Sequence, residues 1–116
     1  VIFGSVEFPL TLPRVWTVSG PGYAGKPRPA VVVQDDRFDA TLSITVCVFI
    51  TDDTEAPLFR IPVMSSDCNG LLSESRLMVD NITTVSKERI GKRIGCLDDG
   101  DVMRLNRAIL VFLGVA

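Results

Sequence analysis

Gly25-Lys26-Pro27-Arg28-Pro29-Ala30-Val31-Val32-Val33-Gln34 is the stretch whose reading decides the fold. The valine run is strongly strand-forming, because β-branched side chains pack well on a pleated surface. A buried strand over residues 29–34 is therefore expected. Just before it, Arg28 stands between two prolines. Proline fixes its own φ and pushes the preceding residue toward extended geometry. The arginine backbone is thus held at the mouth of the strand before anything binds. A guanidinium held this way suits a phosphate, whose oxygens match its planar fork. The alternative is a strand-start arginine paired with a surface carboxylate, a common and weak arrangement.

Working outward, Arg14-Val15-Trp16-Thr17-Val18 reads as a short strand and residues 19–25 as a mobile glycine-rich loop. The loop lacks the GxxxxGK[ST] order of a nucleotide P-loop. Residues 42–50, rich in Val and Ile, form a second strong strand. Residues 58–63 alternate apolar and polar, and Pro62 marks an edge or a strand end. Residues 65–70 are a loop. Residues 75–85 read as one or two strands with a bend near Asp80-Asn81, residues 87–91 as a helical turn, and residues 92–97 as a last short strand. The period changes at Asp98: Val102, Leu105, Ile109 and Phe112/Leu113 recur at helical spacing. Asp98 can cap this helix, Asp101 suits its first turn, and Gly114 stops it. Many short strands and one terminal helix argue for an α+β domain built as a compact β-barrel.

At 116 residues the chain is one domain with a modest core. Its 47% hydrophobic content and mixed charge exclude a disordered chain. No apolar run approaches the ~20 residues of a membrane span, and the apolar N-terminus lacks the pattern of a signal peptide. The widely spaced Cys47, Cys68 and Cys96 fit reduced cytoplasmic thiols, with Cys47 a small core residue. There is no histidine, which excludes Ser-His-Asp hydrolysis, Cys-His proteolysis and two-histidine RNA cleavage. Scattered carboxylates and thiols argue against a zinc site or any metal requirement. A net charge of −2 does not describe a bulk nucleic-acid binder, but a local basic site is open to Lys26, Arg28 and Arg37. Lys87, Arg89, Lys92 and Arg93 are either a second basic site or a solvated loop.

GKPRPAVVVQDDRF resembles the G-x-x-RP-A/V-VVV segment of the MazF/PemK/Kid toxins, small ribonucleases of bacterial toxin–antitoxin pairs. Phe49-Ile50-Thr51-Asp52-Asp53 resembles their strand-end threonine motif. Leu77-Met78-Val79-Asp80-Asn81-Ile82-Thr83-Thr84-Val85 resembles their acid–amide segment. Arg89-Ile90-Gly91-Lys92-Arg93-Ile94-Gly95 and the closing amphipathic run follow in the same order. The resemblance covers roughly residues 14–114, leaving residues 1–13 as an N-terminal extension and residues 14–116 as a toxin domain.

The resemblance implies an SH3-like, MazF/CcdB-like barrel with a C-terminal helix. It implies a metal-independent endoribonuclease that cuts single-stranded RNA, needs no cofactor, works as a cytoplasmic homodimer away from membranes, and is neutralised by a small acidic MazE-like antitoxin. Arg28 matches the catalytic arginine and Thr51 the catalytic threonine. Some members carry consecutive threonines where this chain has Ile50-Thr51, so Ile50 is the other occupant of the active position. Asp80 and Asn81 match the pair that contacts RNA; the alternative is an Asx-type bend between strands. Lys26 adds charge beside Arg28. Tyr23, in the loop, is the candidate for stacking on a base; Trp16 reads as core. Two other functions stay open: a CcdB-like gyrase poison, for which Arg28 and Thr51 are incidental, and an inactive binding homologue.

Overall fold

A computed structural model describes residues 13–20, 26–35, 37, 40–51 and 60–115. Its strands are β1 (Arg14–Val18), β2 (Arg28–Val32), β3 (Ser43–Ile50), β4 (Arg60–Val63), β5 (Ser75–Ser86) and β6 (Ile90–Cys96). A single 3-10 turn, Lys87–Arg89, joins β5 to β6, and the helix α1 (Asp99–Phe112) follows. The strands form one antiparallel sheet in the order β4-β5-β3-β2-β1-β6. Among the described residues the sheet is not closed: β4 and β6 are its two edges, so the barrel expected from sequence is here an open six-stranded sheet with a helix against it.

The valine run forms a largely buried strand, as expected, and lies inside the sheet between β3 and β1. Regular β2 pairing ends at Val32, but Val33 continues the ladder by donating its N–H to the Thr45 carbonyl at 3.0 Å. Strand alternation sends Val31 and Val33 to one face of β2 and Ala30 and Val32 to the other. On the first face they meet Val15, Cys47, Phe49, Leu77 and Val79, and α1 covers this layer with Leu105 and Ile109. On the reverse face Ala30 joins Val18, Val46, Val48, Met78 and Val85. Two-sided burial explains why β2 and β3 read as continuous apolar runs rather than as alternation. Burial drives the Cys47 thiol pKa up to about 12, which makes it an inert core residue.

The helix is delimited by the residues that sequence picks out. The Asp98 carboxylate accepts the Asp101 N–H at 2.8 Å, and Gly114 takes the left-handed φ of 77° just past the end. Arg104 donates to the Pro62 carbonyl at 2.7 Å and so ties α1 to the edge strand β4. The 64–71 connection is pinned by buried Asn69. Its side-chain carbonyl accepts the N–H groups of Ser66 and Leu71, and its amide donates to the Met64 carbonyl at 2.8 Å. That connection crosses β6 at Gly95, where a β-carbon would lie only 2.4 Å from the Cys68 carbonyl oxygen.

β5 departs from regular geometry in its middle. Phe49 faces Leu77 and Cys47 faces Ile82, so Val48 alone stands opposite residues 78–81. This is an extended bulge, and it falls on the expected Asp80-Asn81 bend. β5 remains one strand across it.

Candidate nucleic-acid interface

The candidate residues gather where β2 begins and β3 ends. Val18 of β1 stands opposite Arg28 of β2. Ala30 faces Val48, and two further steps of that register set Arg28 opposite Ile50. Ile50 in turn faces Arg76 of β5, and Arg76 faces Pro62 of β4. Residues directly opposite in an antiparallel sheet share a face. Val18, Arg28, Ile50, Arg76 and Pro62 therefore form one row across five strands, on the reverse face from the helix.

Arg28 and Arg76 are each half-buried. Their stems can lie along the apolar reverse face while the guanidinium groups reach its rim, as long cationic side chains commonly do. Lys26, two residues before Arg28, is exposed. Thr51 is exposed immediately beyond the end of β3, whereas Ile50 is half-buried and packs on the reverse-face cluster. Of the two occupants left open by the sequence, only Thr51 combines a hydroxyl with an accessible position.

Asp80 and Asn81 lie on the bulge of β5, both exposed, while Leu77, Met78 and Val79 before them are buried. The bulge thus turns a polar pair outward from an otherwise buried strand. Arg60 of β4 grips Asp80 with a two-pronged contact, Nε to Oδ1 at 2.8 Å and Nη2 to Oδ2 at 3.1 Å. These hydrogen bonds hold the Asp80 carboxyl below the usual carboxylate range. Asp80 is therefore a fixed anion near neutral pH, with lone pairs beyond the two that Arg60 uses.

Other sequence candidates fall elsewhere. Arg37 stands beyond the opposite end of β2 from Arg28 and clasps Asp35, with Nε to Oδ1 at 3.1 Å, so it does not add to the charge beside Arg28. Trp16 is half-buried and shares the reverse face with Ala30 instead of entering the core. Of the second basic cluster, Arg89 turns back onto the Ser19 carbonyl, while Lys92 and Arg93 are exposed on edge strand β6. Charges there protect an open sheet edge. Tyr23 lies outside the described residues, as do Asp52 and Asp53. Arg60 and Arg76 were not legible as site residues: their place depends on strand register, and the local alternation around them shows only that they sit in strands.

Among the described residues no three His, Cys, Asp or Glu side chains are grouped closely enough to hold a metal ion, and no helix is long and apolar enough to cross a membrane.

The chain resembles known proteins in sequence and in fold. The chain is 48% identical over 103 residues to a protein of Mycolicibacterium smegmatis named "Probable endoribonuclease MazF", covering 88% of this chain and 94% of that one. Its fold is similar to that of the Mycobacterium tuberculosis toxin MazF-mt6, with a TM-score of 0.74 at 21% identity over 89% of this chain and 99% of the other. It is also similar to a mycobacterial endoribonuclease solved in complex with its cognate antitoxin, with a TM-score of 0.68 at 21% identity over 89% and 91% of the two chains. A family model described as the PemK-like, MazF-like toxin of type II toxin–antitoxin systems matches residues 14–113, and the chain belongs to that family.

Proposed function

We propose that this chain is a toxin endoribonuclease that cleaves single-stranded RNA in the cytoplasm, acts as a homodimer, and is silenced by a cognate small acidic antitoxin. The observation that carries the reading is the pairing of a pre-set arginine with a strand-end hydroxyl. Arg28 opens β2 opposite the end of β3, and exposed Thr51 is the next residue along β3.

RNA supplies its own nucleophile. The 2′-oxygen attacks the adjacent phosphorus and loses its proton. The bond to the 5′-oxygen breaks, and that oxygen leaves with a proton. The products are a 2′,3′-cyclic phosphate and a 5′-hydroxyl. Negative charge gathers on the non-bridging oxygens during this step. A positioned guanidinium and a hydroxyl donor lower its cost there. Arg28 takes this electrostatic role, because a group with a pKa above ~12 is a poor base. Lys26 adds local positive charge. Asn81 presents both a donor and an acceptor to an unpaired base, and Asp80 presents acceptors beside it. A homodimer gains support from Val111, Phe112, Leu113 and Val115, which are exposed at the end of α1. An acidic antitoxin segment suits the same arginine row by charge.

The test is purified protein on single-stranded RNA in EDTA, with the fragment ends identified. Cleavage to 2′,3′-cyclic phosphate and 5′-hydroxyl ends is expected. A 5′-phosphate product, or dependence on added metal, overturns the mechanism.

A further inference from the structure

We propose that Arg60 is a positioning residue for RNA specificity, fixing the Asp80 carboxylate as an acceptor that favours a base with an amino group over uracil beside the cut; this rests on the endoribonuclease reading. The paired registers leave a gap in β5. Towards β3 they stop at Leu77, opposite Phe49, and resume at Ile82, opposite Cys47. Towards β4, among the described residues, they end at Met78, opposite Arg60. Residues 79–81 thus lie outside both paired registers, and the bulge that aims Asp80 outward does not by itself hold its side chain. Arg60 supplies the hold, with Nε to Oδ1 at 2.8 Å and Nη2 to Oδ2 at 3.1 Å. Asp80 stands two positions beyond Met78, a diagonal step that a long side chain spans. The Arg60 side chain is only 18% exposed and that of Asp80 30%, so the cation is packed in place while the anion keeps a face to solvent.

A planar fork on both oxygens fixes the plane of the carboxylate as well as its charge. Each oxygen has more than one acceptor site, so the gripped group still receives a donor. Asp80 is four positions along β5 from Arg76 (80 − 76), which faces Ile50 in the Arg28 row. At about 3.3 Å per residue this is roughly 13 Å, a distance that suits a base flanking the cut and not the reacting phosphate. An ionised carboxylate only accepts hydrogen bonds. Adenine, cytosine and guanine each offer it an exocyclic amino group. Uracil offers one N–H between two carbonyl oxygens, which face the carboxylate as like partners. A carboxylate free to swing turns away from them, but a clamped one does not, so the discrimination against uracil depends on Arg60.

The experiment cuts a pool of single-stranded RNA with randomised positions and sequences the fragment ends. It then compares kcat/KM on two RNAs that differ only by cytosine or uracil at the position the pool identifies. Wild type should disfavour uracil about tenfold or more at one flanking position. Arg60→Ala should reduce that ratio to about threefold or less, while preferences at other positions stand. Asp80→Asn should reduce it likewise, because an amide both donates and accepts. Adding Arg60→Ala to Asp80→Asn should bring no further change in the ratio, the mark of a residue that acts through the carboxylate. Arg60→Lys keeps the charge without the fork and should recover only part. Arg107→Ala, on the helix, should leave the ratio at its wild-type value. Melting curves of all variants check folding; if the alanine variant unfolds, Arg60→Gln and Arg60→Lys carry the same comparison. A wild-type ratio kept in folded Arg60 variants, additive losses in the double variant, or wild-type cleavage indifferent to uracil at every flanking position overturns the role of Arg60 alone. A wild-type chain that cuts no RNA in the pool overturns both this role and the reading beneath it.

Discussion

Replacing Arg28 with alanine separates a catalytic arginine from a structural one. Arg28 is half-buried at the first position of β2, and its backbone partner Val18 remains in place after the change. The flanking Pro27 and Pro29 still hold the strand start extended. What folding loses is the partial burial of a short methylene stem, about 1 kcal/mol at ~0.8 kcal/mol per fully buried CH₂. For a chain of this size, that lowers the melting temperature by only a few degrees. Chemistry loses far more. Removing one oriented donor from a developing oxyanion costs ~100- to 1,000-fold in rate, or about 2.7–4 kcal/mol. The assay is single-turnover cleavage of a short RNA, which excludes product release, paired with thermal melting of the same preparations. Arg28→Lys keeps the charge but not the fork and should recover only part of the loss. An alanine variant that melts normally and keeps more than about a tenth of the rate refutes the catalytic assignment. So does one whose lost activity is matched by lost folding.

Three further outcomes follow from the same geometry. Thr51→Val should slow cleavage clearly but less than Arg28→Ala, while Ile50→Val leaves the rate nearly unchanged; the reverse order in a rate assay moves the active position to Ile50. Asp80→Asn should cost about 1 kcal/mol or less at neutral pH, because the Arg60–Asp80 pair is partly exposed. Since Asp80 has a lowered folded pKa, the pair's contribution is complete above the unfolded value near pH ~4 and fades as pH falls through the folded value. Melting curves of wild type and variant should therefore converge in acid, and a gap that widens there contradicts the pairing. Gly95→Ala places a methyl 2.4 Å from the Cys68 carbonyl oxygen, so it should destabilise by about 1–3 kcal/mol. Urea denaturation reads this directly, and an unmoved midpoint means that the crossing over β6 is looser than described.

The strands and the helix were legible because each depends on neighbours in sequence. The valines of 31–33 need no partner to be recognised as strand, and Asp98 announces a helix through its own cap. Arg28 stood out for the same reason, since both prolines that set it are adjacent. Relations between strands were not legible. Arg37 lies only nine positions from Arg28 (37 − 28), yet β2 carries it to the opposite end of the strand and Asp35 takes it. Arg60 and Arg76 are distant in sequence but near in the fold. Their neighbours depend on register, which the packing of the whole sheet sets. The short strands led to the expectation of a compact barrel, yet whether a sheet closes also depends on how its outer strands meet, and among the described residues β4 and β6 remain separate edges.

The bulge of β5 has a consequence for how this fold can change. Before it, the odd positions Leu77 and Val79 face the helix layer; after it, the even position Ile82 does, and Val85 has crossed to the reverse layer. The strand thus changes phase midway and keeps both halves buried correctly. Asp80 and Asn81 sit within that change of phase and belong to neither layer. Substitution there is insulated from the two cores, so what this surface recognises can drift while the fold stands still. Deleting one residue between 78 and 81 is a different matter, because it turns one half of β5 inside out.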